Sequence, residues 1–185
     1  MKNISIVILF SFAATALPVL ATAQEFVVDD LISVSDSRWS FISDQVMGGV
    51  SSGGFEVKTH DGELYIEMTG RVSTENNGGF IQVRREIEDD SSSRITGVTI
   101  TVKGNGQPYF LHLRTRWTLL PWQYYQARFE TSELWQEIQL PFSAFKPSSR
   151  ILPSTVNRSA LKSLGLVAFG RDHDAMVSIK EIGFY

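Results

Sequence analysis

The chain contains no cysteine among its 185 residues. This absence excludes disulfide bonds, thiol catalysis, zinc–thiolate sites and an N-terminal cysteine that carries a lipid. A chain of about 160 residues can bury enough surface to fold without covalent cross-links. Stability must therefore come from an ordinary hydrophobic core.

Histidine is also scarce. The three histidines, His60, His112 and His173, lie in separate segments without the close spacing of metal ligands. The sequence has no Gly-x-Ser-x-Gly elbow, and its glycine-rich stretch at 47–54 lacks the Lys-Ser/Thr ending of a phosphate-binding loop. We therefore expect no enzyme activity, no cofactor and no metal. A hydrolase built from dispersed carboxylates stays open as an alternative, because such pairs leave no local signature.

Charge is low and nearly balanced. Seventeen basic residues against 20 acidic residues leave a formal net charge of −3. A weakly acidic chain without a basic cluster offers no electrostatic attraction for nucleic acid, which we do not expect as a partner.

Residues 1–23 have the pattern of a secretory signal peptide. Lys2 is followed by a mostly apolar run and by the small-residue cleavage site Ala21-Thr22-Ala23. A transmembrane anchor is disfavoured because the run is short and interrupted by Ser11, Thr15 and Pro18. The mature protein is predicted to be one domain, residues 24–185, that does not span a membrane. We expect it to be periplasmic or secreted, and the lack of cysteine favours a bacterial periplasm.

The rest of the chain predicts an all-β fold. No segment after residue 24 has a long helical period, and roughly nine to eleven alternating strands are separated by turn residues. Asp61-Gly62 predicts a tight hairpin, and Ser154 to Lys162 is expected to hold one short helical turn. Regularly spaced strands of this kind indicate an antiparallel β-sandwich or jelly roll.

Three of these strands, in 80–87, 109–116 and 124–130, share a second pattern. Each alternates apolar residues on one face with Arg and Gln or His on the other. If the strands are neighbours, six side chains converge on one concave surface, with two tryptophans in the adjacent loop at its rim. The candidate ligand-binding residues are Gln82, Arg84, His112, Arg114, Trp117, Trp122, Gln126 and Arg128. The alternative is a solvated face on which Arg84, Arg114 and Arg128 pair with Glu86 and Glu130.

Two glycine-rich motifs and two strand motifs resemble those of the complex I intermediate-associated protein 30 family. The matching stretches are Asp44–Ser51, Thr69–Phe80, Tyr125–Phe129 and Trp135–Phe142 followed by Phe145. The resemblance implies a galactose-binding-domain-like β-sandwich and a non-catalytic role, because the mitochondrial relatives assist assembly of respiratory complex I. The motif positions to which we assign structural roles are Asp44, Met47, Gly48, Gly49, Asn76, Asn77, Gly78, Gly79, Phe80, Trp135 and Pro141.

Two functions follow from these observations. The resemblance implies a non-catalytic exported protein that binds or chaperones a protein partner. The polar face instead favours a module that binds a carbohydrate or a small acidic ligand. Trp39 and Trp135 are expected to be core aromatics, and either Gly78 or Gly79 is expected to adopt a conformation closed to a side chain.

Overall fold

The computed structural model describes residues 26–29, 39–87 and 95–185, with only the backbone given for 26–29. The predicted signal peptide lies outside the described residues. Within the described ranges, no helix is long and apolar enough to cross a lipid bilayer.

The described residues form twelve strands and four short 3₁₀ helices, which confirms the all-β prediction. The 3₁₀ helices are Asp44–Met47, Glu75–Asn77, Phe142–Ala144 and Arg158–Ala160, and the last confirms the predicted helical turn. The strands are β1 (Phe26–Asp29), β2 (Trp39–Ser43), β3 (Ser52–His60), β4 (Glu63–Val72), β5 (Phe80–Glu86), β6 (Gly97–Gly104), β7 (Pro108–Thr115), β8 (Tyr125–Glu130), β9 (Gln136–Pro141), β10 (Lys146–Pro147), β11 (Leu161–Phe169) and β12 (His173–Phe184).

The strands pair into two antiparallel sheets. The sheet that we call the back sheet has the order β3-β4-β12-β6-β9, with β1 paired to the end of β12. The sheet that we call the front sheet has the order β10-β8-β7-β11-β5-β2. The inner faces of both sheets contribute to a single cluster of buried apolar side chains, which confirms the predicted β-sandwich.

Period-two alternation determines which residues enter this core. Tyr109, Leu111 and Leu113 of β7 are fully buried, as predicted. Their neighbours on β8, among them Tyr125 and Phe129, are buried on the same side. Burying each large apolar side chain contributes about 1.5–3 kcal/mol, so the inward faces supply most of the driving force for folding.

The hairpin between β3 and β4 turns at Asp61-Gly62, as predicted. Both residues have positive φ, 52° and 82°, which is the backbone pattern of a type I′ turn. The turn brings His60 opposite Glu63 and thereby sets the register of the whole hairpin.

The prediction of a core position is wrong for one of the two tryptophans. Trp39 is buried as expected, but Trp135 is only half-buried. It meets Tyr65 edge-on at 5.6 Å between ring centroids, and the ammonium groups of Lys103 and Lys180 lie 4.9 and 5.4 Å from its ring. Because Tyr65 and Lys103 alternate with the core residues of β4 and β6, Trp135 covers the outer face of the back sheet rather than its core.

Candidate functional site

The two glycine-rich motifs meet at one buried carboxylate, that of Asp44. Its Oδ1 accepts a hydrogen bond from the Ser51 backbone N–H at 2.9 Å, and its Oδ2 accepts one from the Ser51 hydroxyl at 2.5 Å. Oδ2 also accepts from the backbone N–H groups of Gly79 at 2.5 Å and Phe80 at 3.3 Å. Burial disfavours the charged form, but these four bonds outweigh it and hold the pKa of Asp44 below its usual value.

This contact explains the glycines in both motifs. A Cβ atom on Gly49 would lie 2.3 Å from Asp44 Cγ, and one on Gly78 would lie 2.4 Å from Asp44 Oδ2. Gly79 has φ of +126°, which confirms the predicted conformation closed to side chains, and Asn76 and Asn77 also have positive φ. Asp44 therefore joins the 44–51 loop to the start of β5 through backbone that only glycine fits.

The polar side chains of the front sheet share one outer face, but their strands are not all neighbours. Strand β11 lies between β5 and β7, so Gly165 is paired with Arg84 on one side and with His112 on the other. Gln126 continues the same row on β8, opposite His112. Because Gly165 has no side chain, the row has a depression at its centre.

A groove of about 520 Å³ lies over this depression. The structure brings five of the eight candidate residues to its lining: Gln82, Arg84, His112, Arg114 and Trp122. The remaining lining residues were not among the sequence candidates: Ile42, Val46, Met47, Phe80, Pro121, Tyr124, Ser163, Gly165 and Phe169. Met47 and Phe80 come from the two glycine-rich motifs, so the Asp44 contact positions part of the groove wall.

Three sequence candidates do not line the groove. Gln126 lies on the same face beside it, and Trp117 projects from the 116–123 loop with 62% of its surface exposed. Arg128 is exposed and its Nη2 donates to Glu130 at 2.6 Å. The predicted alternative of arginine–glutamate pairs is thus realised for Arg128 and, as a longer contact of 3.6 Å, for Arg84 with Glu86, although both pairs run along a strand rather than across strands.

The floor of the groove contains a stacked pair of rings. His112 lies parallel to Tyr124, with 4.0 Å between ring centroids and 9° between ring planes, and Phe169 meets it edge-on at 6.0 Å. Burial lowers the pKa of His112 to about 3. The neighbouring Gln126 side chain raises the pKa in part, although neither its Oε1 nor Nε2 of His112 has a hydrogen bond of ordinary geometry within the described part of the chain. The imidazole is therefore neutral at physiological pH and acts as part of an aromatic platform.

Arg114 supports the loop that forms one rim of the groove. Its Nη2 donates to the carbonyl oxygens of Thr118 at 3.1 Å and Leu120 at 3.0 Å. Burial, with the like charge of Arg84 nearby, lowers the pKa of Arg114. Part of its donor capacity is therefore used to position the loop that carries Trp122, a role that the alternation pattern did not predict.

Several polar atoms beneath the groove lack partners within the part of the chain that the structure describes. They are Nε of Arg84, Nε of Arg114, Nε2 of His112 and Oε1 of Gln126. Buried polar atoms are normally hydrogen-bonded, because leaving one unsatisfied costs about 1–3 kcal/mol. Four such atoms lie at or beside this groove, so it offers unpaired hydrogen-bond donors and acceptors to a ligand.

The other two histidines lie apart from this groove. His60 is exposed beside Asp61, and His173 directs Nδ1 to the carbonyl of Arg171 at 2.8 Å. Over residues 39–87 and 95–185, no group of three or more His, Asp or Glu side chains is arranged to hold a metal ion.

Sequence alternation missed the groove residues contributed by β11 and by the loops. Ser163 and Gly165 are small residues in a mostly apolar strand, Leu161–Phe169, and they are the local signal of an open position. Val46 and Met47 are 74% and 58% exposed, and their place at the rim depends on the distant Asp44 contact. No local pattern encodes that contact, since Asp44 and Gly79 are 35 residues apart.

Fold and groove together define an antiparallel β-sandwich of the jelly-roll type with a concave site on the outer face of one sheet. The model of the family described as complex I intermediate-associated protein 30 matches residues 26–177. The chain belongs to this family. No curated protein sequence matches the chain.

Similar solved structures support the fold. One is the family 11 carbohydrate-binding module from Clostridium thermocellum in complex with a β-1,3-1,4-mixed-linked tetrasaccharide, with 14% identity, a TM-score of 0.70, and coverage of 89% of this chain and 96% of that one. The family 11 module of a cellulosomal cellulase from the same organism gives 14% identity, 89% and 95% coverage, and a TM-score of 0.71. An agarase gives 11% identity and a TM-score of 0.55 over 84% of this chain but 23% of its own length.

Proposed function

We propose that the protein is a non-catalytic binding module that holds a carbohydrate chain in the groove of the front sheet. The observation that carries this proposal is the combination of an exposed aromatic rim with a floor of planar and hydrogen-bonding groups. Trp122 is 61% exposed at the rim, the His112–Tyr124 stack forms the floor, and Gln82 and Arg84 supply amide and guanidinium groups. Flat rings pack against the C–H faces of sugars, while fixed polar groups read the hydroxyls.

The size and polarity of the groove agree with this class of ligand. Small-ligand sites have volumes of about 300–1,000 Å³ and combine apolar walls with a few placed polar groups. The groove, at about 520 Å³, falls in that range. The similarity in fold to a carbohydrate-binding module solved with a tetrasaccharide also supports the proposal.

Binding without hydrolysis is supported by the charges in the groove. Most glycosidases need two carboxyl groups on either side of the bond that breaks. Among the described residues that line the groove, the charged ones are Arg84 and Arg114, and neither Asp nor Glu is present.

Two tryptophans of one loop provide a matched test. Trp122 and Trp117 are equally exposed, but only Trp122 lines the groove. In a titration calorimetry screen of neutral and acidic oligosaccharides, including the mixed-linkage tetrasaccharide, the wild type should bind at least one. Because a single aromatic contact residue can contribute about 2 kcal/mol or more, Trp122→Ala should weaken that binding more than tenfold. Trp117→Ala should stay within twofold. No binding to any saccharide, or equal losses in the two variants, would contradict the proposal.

A second candidate function, binding of a protein partner, is favoured by the apolar loops at the rim. Four apolar side chains are 40–82% exposed: Val46 and Met47, which line the groove, and Leu119 and Leu120 in the loop that carries Trp122. Exposed apolar side chains grouped on neighbouring loops are a common feature of protein interfaces. The description of the family, complex I intermediate-associated, points to the same class of role.

The two candidates separate in one experiment. A partner protein that docks on the rim should be captured by the wild type and lost from a Met47→Ser/Leu119→Ser double variant. The Trp122→Ala variant should lose saccharide binding whether or not a partner is captured. A partner captured equally by the double variant would refute docking at this rim.

We further propose that the protein acts after export, as residues 1–23 predict. Export would place it in a periplasm or outside the cell, where polysaccharides are accessible. Mass spectrometry of the native protein should find an N-terminus at or near Gln24. An intact Met1 on a cytoplasmic protein would refute this location.

A further inference from the structure

The charged side chains that line the groove are both cations. Arg84 comes from β5, and Arg114 comes from β7 on the far side of β11. One carboxylate contacts this pair: Oε1 of Glu86 lies 3.6 Å from Nε of Arg84. This distance is too long for a hydrogen bond, and the Glu86 side chain is 57% exposed. An exposed contact of this kind is weak and is easily exchanged for another anion.

The two arginines differ in how far their donors are already used. Arg114 donates to two loop carbonyls, so its position is fixed. The Nε of Arg84 is buried without a hydrogen-bond partner among the described residues, and its nearest carboxylate contact, to Glu86, is 3.6 Å long. The side chain is 28% exposed and sits opposite Gly165, where the lack of a Cβ leaves room above the sheet. Arg84 thus presents an unused guanidinium fork to the groove.

The electrostatics of the pair favour an anion. Burial and, after it, the like charge of Arg84 lower the pKa of Arg114, while Glu86 raises it, so the repulsion between the two positive charges is only partly offset by one exposed carboxylate. A neutral saccharide leaves this repulsion in place. An anionic group beside Arg84 relieves it, and a carboxylate matches the planar fork with two parallel hydrogen bonds.

We propose that the ligand of this groove is an acidic saccharide, and that Arg84 binds the carboxylate of one of its uronate units. This inference rests on the proposed carbohydrate-binding function and specifies its ligand class. Gln82 lies next to the same position: its Oε1 is 3.1 Å from the point that a Cβ of Gly165 would occupy. The amide can therefore bind a hydroxyl of the sugar whose carboxylate pairs with Arg84.

The test compares one saccharide with and without its charge. Titration calorimetry with trigalacturonate and with its fully methyl-esterified form changes the carboxylates while keeping the sugar rings. The wild type should bind the acid at least about tenfold more tightly than the ester, since hydrogen bonds to charged groups are the stronger kind. The preference should shrink when NaCl is raised, because the interaction is electrostatic.

Arginine variants locate the effect. Arg84→Gln should bind the acid and the ester with equal affinity, because the group that distinguishes them is gone. Arg84→Lys, which keeps the charge but loses the fork, should retain part of the preference. Arg128→Gln is the matched control, because Arg128 lies on the same face but outside the groove and is paired with Glu130. It should keep the full preference.

Other results of these titrations would contradict the ligand class, the role of Arg84 or the proposed function itself. If the ester or the neutral mixed-linkage tetrasaccharide binds as tightly as the acid, the acidic ligand class is wrong while carbohydrate binding stands. If Arg84→Gln keeps the preference for the acid, Arg84 is not the carboxylate-binding residue. If no saccharide of either kind binds, the inference and the proposed function both fail. Should the Arg84 variants not fold, the comparison of acid and ester on the wild type still decides the ligand class.

Discussion

Replacing Asp44 with asparagine is expected to remove a large part of the stability of the fold. The substitution keeps the size of the side chain but has only one acceptor oxygen. If that oxygen takes the place of Oδ2, it can keep the bonds from Ser51 Oγ, Gly79 N and Phe80 N, now as bonds to a neutral group. The new NH₂ group then faces the Ser51 N–H, where the carboxylate accepted at 2.9 Å.

The magnitude follows from these four contacts. A hydrogen bond to a charged group contributes about 1 kcal/mol more than one between neutral groups, which gives about 3 kcal/mol for the three retained bonds. The unpaired buried N–H of Ser51 adds at least about 1 kcal/mol, the lower end of the cost of such a group. A loss of about 4 kcal/mol is large beside the total of roughly 5–15 kcal/mol for a domain.

Urea denaturation of wild type and Asp44→Asn measures this loss directly. Asp172→Asn is the matched control: that carboxylate also accepts two bonds, from Thr74 N and Thr74 Oγ1 at 2.7 Å, but it is exposed and water can replace them. Its effect should be much smaller. A loss below about 1 kcal/mol for Asp44→Asn would refute the reasoning, because buried charge-assisted bonds cannot be that weak.

The same comparison has a predicted pH dependence. The pKa of Asp44 is lower in the folded state than its value of about 3.9 in an unfolded chain. Its contribution is therefore complete above the unfolded pKa and is lost as the pH falls through the folded pKa. The difference in unfolding free energy between wild type and Asp44→Asn should shrink when the pH is lowered from 7 to 3. A difference that grows toward acid pH would contradict the assigned cause.

Two further predictions concern the glycines and the histidine of this region. Gly79→Val should lower the free energy of unfolding by about 1–3 kcal/mol, because φ is +126° there. Gly54→Ala is the control: a Cβ at Gly54 would meet nothing within 4 Å, so the urea midpoint should stay nearly unchanged. Equal effects of the two substitutions would contradict the role given to the turn. The His112 ring should show constant NMR chemical shifts from pH 8 to pH 4.5, because burial lowers its pKa to about 3. A titration midpoint near 6 would show that the groove floor is wetter than the structure indicates.

Local patterns predicted the inward and outward faces of the strands correctly. Alternation in β7 and β8 separates Tyr109 and Phe129 from His112 and Gln126, and the structure buries the first pair while placing the second on the front face. These features depend only on residues two apart in sequence, and a strand shifted by one residue would expose its core face to water. That large penalty is why a single sequence suffices to predict them.

The neighbours of each strand could not be predicted in the same way. Strand β11 follows β5 by about 75 residues, yet it pairs with both β5 and β7 and places Gly165 at the centre of the groove. Nothing within a strand states which other strand it will join, because antiparallel partners recognise mainly the complementary backbone. The sequence therefore indicated which side chains face outward but not the depression between them.

Arg84, Arg114 and Arg128 show why facing outward was not enough to assign a site. All three alternate with core residues, yet their guanidinium groups meet three different environments. Arg128 reaches the carboxylate two residues along its own strand, and Arg114 reaches the carbonyls of the loop that follows its strand. Arg84 lies opposite Gly165, and its Nε has no hydrogen bond to any described residue and only a 3.6 Å contact with the exposed carboxylate of Glu86. Whether an arginine is available to a ligand therefore depends on which group its guanidinium contacts. Those contacts are set by the folded sheet and not by the local sequence. For this reason the specificity of the groove is expected to change with Arg84 and not with Arg128, although the two arginines look equivalent in the sequence.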